Sequence, residues 1–314
     1  IMSRNIDSIT GDPHGSPTTA ERCRRYGKNT YVTRYGSFDD YIDTVSTGPV
    51  TVGFHGQEES RTNPRSFTGS DSWDHACELA RDGWTDVRDD VAALADPLRD
   101  RLRARLGTPP VFVHDVSGVA VDMGAFMAGE PENMMFLMPT EERQGGKVVR
   151  IVLNVCASGS VDARDLLKRG VAVLALVEAI AMVGGSAELI VVDTRGGRGD
   201  SGAASYTIVP VKEASQHIDP DRLMFAAAHP SMLRRFGFAE TERLPAEAIK
   251  ALGLNKPHGY GTVAPCPQSV LDTLGTVDVY VKEWLGGDAV NRRIVADPEA
   301  WILDTLRGIG FDVD

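Results

Sequence analysis

Residues 147–193, KVVRIVLNVCASGSVDARDLLKRGVAVLALVEAIAMVGGSAELIVVD, constrain the fold of this 314-residue chain more than any other stretch. The segment opens on a nearly continuous β-branched run, the pattern of a strand buried on both faces of a sheet. A loop of small polar residues follows, then Asp162 or Asp165 in position to cap a helix. Leu166, Val173, Leu174, Val177, Ile180 and Ala181 mark one stripe of that helix, and Gly184-Gly185 ends it. AELIVVD is a second apolar strand. Two largely apolar strands joined through a helix are a crossover unit, which demands a sheet covered on both faces.

The flanking sequence extends the pattern. A Gly-rich loop, TRGGRGDSGAAS, leads to a third strand, YTIVPVK, and Pro220 opens a helix. VDVYVKEW (277–284) reads as a further strand, and DPEAWILDTLRGIG (297–310) as a last helix with Pro in its first turn and Gly at its end. The expected fold is α/β: a Rossmann-like, mainly parallel sheet over 145–314 with helices on both faces. Residues 31–144 are expected to form a smaller N-terminal α/β or α+β lobe packed on this sheet, not a freely swinging domain. Within it, Ser70 or Asp71 caps a helix through Arg81, and a second helix over 85–106 is kinked or divided at Pro97. Residues 1–30 are polar and rich in Gly, Pro, Ser and Thr, and are expected to be mobile, with Met2 as the natural start.

Composition narrows the function classes. No apolar run reaches the roughly 18–20 residues that cross a bilayer, and the N-terminal stretch has no signal-peptide core, so a cytoplasmic location without a membrane partner is expected. Cys23, Cys77, Cys156 and Cys266 are scattered without a C-x-x-C pair, which suits reduced thiols. A formal charge of −11 opposes nonspecific binding of nucleic acid.

In an open parallel sheet, ligands bind where the carboxyl-end loops converge. Asn-Val-Cys-Ala-Ser-Gly-Ser, residues 154–160, occupies such an end. Small residues before a helix suit a phosphate, but neither G-x-x-x-x-G-K-[ST] nor G-x-G-x-x-G is present. Cys156 or Ser158 would serve as a nucleophile if the helix N-terminus lowered a pKa and His114, His217 or His229 supplied a base, although G-x-S-x-G is absent. The plainest role is that of turn and cap residues. Elsewhere, His55, Glu58, Glu59 and Arg61 cluster in one loop, and His114, Asp115 and Asp122 in another. Glu130 and Glu132 are paired carboxylates, and Arg234 and Arg235 are expected to cap carbonyls or to pair with Glu240 and Glu242. Met123, Met127, Met134, Met135 and Met138 are expected mainly to fill core.

Residues 148–193 also resemble the von Willebrand factor A fold, in which an Asp-x-Ser-x-Ser loop after the first strand holds Mg²⁺. The resemblance implies a divalent-cation site at Asn154, Ser158 and Ser160, with Asp193 as the nearest carboxylate. The loop itself lacks the acid, and a hard cation prefers charged oxygen. The implied site is therefore degenerate: no cofactor is expected, with Mg²⁺ or another divalent cation as the alternative. Four phrases, FTGSDSWDHACELARDGW, DMGAFMAGEPENMM, LNVCASGSVDARDLLKRGVAVLALVEAI and LMFAAAHPSMLRRFGF, are together similar to a family of tailed-bacteriophage proteins that brings no activity with it. The combined expectation is a phage-encoded interaction or assembly protein, not an enzyme. Its partner would be a phage or host protein, met on a surface that includes Cys156, Arg195, Arg198, His114 and Asp115. A metal-dependent binding protein or enzyme using the same rim is the second reading, and a nucleic-acid-associated protein the third.

Overall fold

The computed structural model describes residues 17–51, 58–106, 112–115, 120–137, 146–197, 202–254 and 259–313. Among the described residues, ten strands fall in two sheets. The strands of the larger one are β1 (Cys23–Tyr26), β2 (Thr30–Arg34), β6 (Val148–Asn154), β7 (Ser186–Gly196), β8 (Ala204–Lys212), β9 (Thr262–Val263) and β10 (Val279–Val281). The smaller sheet holds β3 (Phe112–Asp115), β4 (Ala120–Val121) and β5 (Met134–Leu137) in the order β3-β5-β4.

The order in the larger sheet is β1-β2-β8-β7-β6-β10, with β9 against β7. β6 pairs in parallel with both β7 and β10, as the crossover unit requires. β2 and β8 are also parallel, while β8 runs antiparallel to β7. The expected α/β sheet is thus present in mixed form. The link from Gly196 to Ala204 is too short for the dozen or more residues of a parallel crossover, so β7 and β8 form a hairpin. The expected third strand enters the sheet in reverse.

Strand alternation sends two sets of side chains into two layers. Val149, Ile151, Leu153, Leu189 and Val191 join the main core under the helices. Val152, Val192, Tyr206 and Ile208 pack against Cys266, Val270 and Leu271 on the opposite face. The helix Ala163–Met182, capped by Asp162, is the centre of the main core, with every residue from Arg169 to Val177 buried. Such all-round burial follows from its position between the sheet and the helices Arg88–Leu106, Pro220–Ala228 and Pro298–Gly308.

The boundary expected at 144/145 does not separate two cores. β1 and β2 extend the main sheet through β8, and Tyr41, Ile42, Trp73, Leu98 and Leu102 lie in the same cluster as Ile151 and Leu174. Arg88–Leu106 is one helix with Pro97 inside it, not two. Two of the five methionines also depart from expectation, while Met134 is partly buried and Met138 lies outside the described residues. Met123 and Met127 are exposed on and beside the smaller sheet, together with Val121 and Phe126, because the short helix Met123–Met127 buries no residue. Among the described residues, no helix is long and apolar enough to cross a membrane.

Candidate functional site: a divided cleft at the carboxyl ends of β6 and β7

The first strand of the crossover unit ends at Asn154, and the chain crosses the sheet's edge before the helix begins at Ala163. Trp284 pins this loop from the β10 side. Its N–H donates to the Cys156 carbonyl (2.9 Å), and its carbonyl accepts from the Ser158 N–H (2.8 Å). The loop becomes a ridge with a cavity on either side. The first cavity, about 360 Å³, lies between Ser158–Ala163, Arg169 and the segment from Ala226 to Arg234. The second, about 450 Å³, lies between the same loop, Arg195, Phe67, Phe238 and Tyr260. Ala157, Ser158, Gly159, Leu233 and Arg234 line both.

Two local features shape the first cavity. At Gly170 a Cβ would stand 2.8 Å from the Ala228 Cβ, so the central helix and Pro220–Ala228 cross closely only because this position is glycine. That crossing brings His229 and Pro230 alongside the first turns of the central helix. The chain then widens into a π-helix, Met232–Phe236, which turns Leu233 and Arg234 toward the cavities. Single-turn π segments of this kind recur at binding sites. Arg235, on the same turn, faces away. It donates to the carbonyls of Ser60, Arg61, Asn63 and Ser70 and to the Ser70 hydroxyl, holding the 60–70 segment in place. Arg234 donates to the Phe67 carbonyl (2.7 Å), so both arginines serve carbonyls, as the sequence suggested.

The second cavity is floored by aromatic rings. Phe238 and Tyr260 are stacked, the Arg195 guanidinium lies 5.4 Å from the Phe238 ring, and Arg234 lies 4.5 Å from Phe67. Arg195 is itself buried and paired with Asp193. Gly237 packs directly on this pair, since a Cβ there would fall 2.3 Å from Arg195 Nη2 and 2.5 Å from Asp193 Oδ2.

The cation ligands expected at Asn154, Ser158, Ser160 and Asp193 do not form one site. Asn154 is fully buried on the β10 side. Its amide nitrogen reaches Thr194 Oγ1, Tyr280 Oη and Glu283 Oε2, and its Oδ1 accepts from the Cys156 N–H. Asp193 points to the opposite face of the sheet, toward Arg195, as adjoining strand positions must. Ser158 and Ser160 sit on the ridge with their hydroxyls 3.0 Å apart. Among the described residues, no three His, Cys, Asp or Glu side chains are grouped to hold a cation.

The other expected positions are also redistributed. Cys156 is buried in the wall of the second cavity instead of on an open surface, and burial pushes its thiol up to about 12, so it is protonated at neutral pH. Arg195 contributes to a cavity wall instead of an open surface. His114 and Asp115 belong to β3, in the other sheet from the strands that carry the ridge. Arg198 and His55 lie outside the described residues. Glu58 pairs with Arg61 at 2.5 Å, a local ion pair. His229 lines the first cavity, but its Nδ1 accepts from the Ser231 N–H, and burial pulls its pKa down to about 3. It is a neutral wall residue.

The residue that sequence reasoning missed is Arg169, which lies in the wall of the first cavity with only 1% of its surface exposed. Its signal was its spacing: three residues after Leu166 and four before Val173, it falls within the apolar stripe of the helix.

Together these features define an α/β protein whose strand carboxyl ends carry a divided, ligand-sized cleft. The chain belongs to the family described as Domain of unknown function (DUF7192), which matches it over residues 13–307. No curated protein and no solved structure matches the chain.

Proposed function

We propose that this protein acts by binding, not by covalent chemistry, and that its ligand or the side chains of its partner enter the two cavities beside the 154–160 ridge. The observation that carries this reading is the pair of cavities itself. Their volumes of about 360 and 450 Å³ fall in the range of small-ligand sites, and they open where ligands bind in sheets with a β6–β7 crossover. Two of the groups named for nucleophilic chemistry are poorly disposed to it: burial pushes the Cys156 thiol up to about 12 and pulls His229 down to about 3. The reading keeps the interaction protein expected from the sequence, phage origin included. It moves the contact from an open surface into a recess and dispenses with the hard cation.

Leu233 reaches both cavities and is only partly buried, so Leu233→Trp fills them from the π-helix with little effect on the core. Ligand screening of the full chain by melting temperature, with and without this substitution, tests the proposal. Ligands that raise the melting temperature of the wild type and not of Leu233→Trp support it. Ligands that stabilise both proteins equally place the binding surface elsewhere.

A further inference from the structure

A buried guanidinium is costly unless a carboxylate or a set of carbonyls receives it. The other buried arginines among the described residues each have a carboxylate or carbonyls, although the Arg195 Nε also lacks a hydrogen-bond partner. Arg195 has Asp193, Arg243 lies near Glu58 and Glu242 and donates to Gly48 and Ala239 carbonyls, and Arg235 has its carbonyl cage. Arg169 is the exception. Its Nε has no hydrogen-bond partner, and Nη1 reaches Asn291 Oδ1 only at 3.4 Å. The Trp284 ring centroid lies 5.5 Å from its guanidinium carbon. No carboxylate stands within ion-pair distance among the described residues. Asp288, the acid nearest in influence, is engaged by Lys282 at 2.7 Å and by Asn291.

The direction of this side chain matters. Side chains on a helix lean toward its N-terminus, and Arg169 belongs to the second turn of a twenty-residue helix whose first turn opens on the first cavity. At that end the N–H groups of Gly159 and Ala163 make no hydrogen bond among the described residues, and a Cβ at Gly159 would meet nothing within 4 Å. Arg234 lines the same cavity with no carboxylate partner among the described residues. Asp162, the one acid among the described lining residues, is committed to capping, accepting from the Arg164 N–H at 2.7 Å.

We propose that the first cavity is an oxyanion site for the phosphate-sized group of a small molecule, received by the Arg169 guanidinium and the Gly159 and Ala163 N–H groups, with Arg234 at the entrance. A helix N-terminus and an arginine fork converging on one space is the recurrent arrangement for a phosphoryl group. The proposal rests on the reading of the cleft as the binding site and adds the chemistry of what it binds.

Ala163 provides a clean test. It is the first residue of its helix, exposed, and preceded by Asp162 in extended geometry (φ −67°, ψ 140°), so proline fits there and removes a single N–H. The full chain is titrated calorimetrically with inorganic phosphate, sulfate, glycerol phosphate and acetate, against sodium chloride of equal ionic strength. Saturable binding of phosphate or sulfate is expected. Tighter binding of glycerol phosphate identifies a phosphomonoester as the natural form, and tighter binding of inorganic phosphate the free ion. Arg169→Lys, which keeps the charge and loses the fork, is expected to weaken binding by ~tenfold or more, and Ala163→Pro by several-fold, with its melting temperature in chloride retained. Heats that match chloride, a preference for acetate, or unchanged affinity in Ala163→Pro and Arg169→Lys would overturn the proposal. Absence of phosphate binding alongside other ligands that Leu233→Trp excludes would overturn this site alone and leave the cleft as the binding surface. Absence of any such ligand removes both.

Discussion

At the residue scale, the most consequential group outside the two cavities of the cleft is Glu240. It is fully buried in the main layer beside Thr33 and Thr207, and burial pushes its pKa up from 4.5 to about 7. Arg195 opposes that rise and Asp193 adds to it; Tyr35 and Tyr41 face the same group. Between pH 4.5 and 7 the folded chain therefore holds a proton at Glu240 that the unfolded chain has lost. Stability from this group is full below pH 4.5 and is lost as pH rises to about 7, an effect of about 3 kcal/mol at most. His229 works in the opposite sense: folded, it stays neutral down to about pH 3, so its contribution is lost as pH falls from 6.5 to 3. The two partly cancel in the wild type, and a direct stability profile would hide both. Glu240→Gln isolates one of them. Denaturant melts of the two proteins should show the variant gaining on the wild type by up to ~3 kcal/mol between pH 4.5 and 7. A pH-independent difference would mean that Glu240 is ionised throughout.

At the scale of elements, the site depends on how closely two helices approach. Gly170 lets the central helix meet Pro220–Ala228, and the opposing atom is the Ala228 Cβ, which cannot rotate away. Gly170→Ala gains about 1 kcal/mol of helix propensity but forces an overpacked contact that typically costs ~1–3 kcal/mol. The net change is expected to be destabilising, visible as a lower urea midpoint with an unchanged m-value. Ligand binding at the cleft should weaken with it, because the same crossing sets the distance between Arg169 and the 226–234 segment. A variant as stable as the wild type would show that the helices part freely. The elements themselves were largely legible in the sequence. The β-branched run at 148–153, the Asp162 cap, the helix to Met182 and Pro298 in the first turn of the last helix all carry their own local signals. What was not legible came from pairing and depth. Alternation cannot tell whether β8 returns as a hairpin, and the short Gly-rich connection was the only cue. Nor does a charged residue inside an apolar stripe declare itself: Arg169 reads as solvated between Lys168 and Gly170 until the packing around it is known. The 154–160 loop does lie between two cavities, whereas the ligands expected on it are scattered by a fact of strand geometry. Asn154 and Asp193 lie on neighbouring strands but on opposite faces.

At the scale of the molecule, the sequence suggested two units, and the packing argues for one. The helices that build the main core include Phe38–Thr47, which packs on β8, and Trp73–Asp82 and Arg88–Leu106, which pack on Pro220–Ala228 and Ala163–Met182; all three precede residue 145. β2 covers the edge of β8, which would otherwise present a row of unpaired backbone groups. Phe38, Tyr41, Ile42, Val45, Trp73, Leu79, Val91, Leu98 and Leu102 are all buried in the common core. At ~2 kcal/mol for each buried side chain, removing these partners forgoes on the order of 20 kcal/mol, more than the ~5–15 kcal/mol by which a protein is usually stable. A fragment of residues 145–314 should therefore not fold alone. Its circular dichroism should lack a cooperative thermal transition, and it should self-associate along the bare β8 edge. The intact chain should unfold in one transition, with tryptophan fluorescence and far-ultraviolet circular dichroism coinciding. Trp73 and Trp84 report from one side of the expected boundary, and Trp284 and Trp301 from the other. A soluble, cooperatively melting fragment, or separate transitions for the two probes, would restore the boundary at 144/145. It would also make the first cavity the property of the second unit alone, since every residue that lines it, from Val155 to Arg234, lies beyond that boundary.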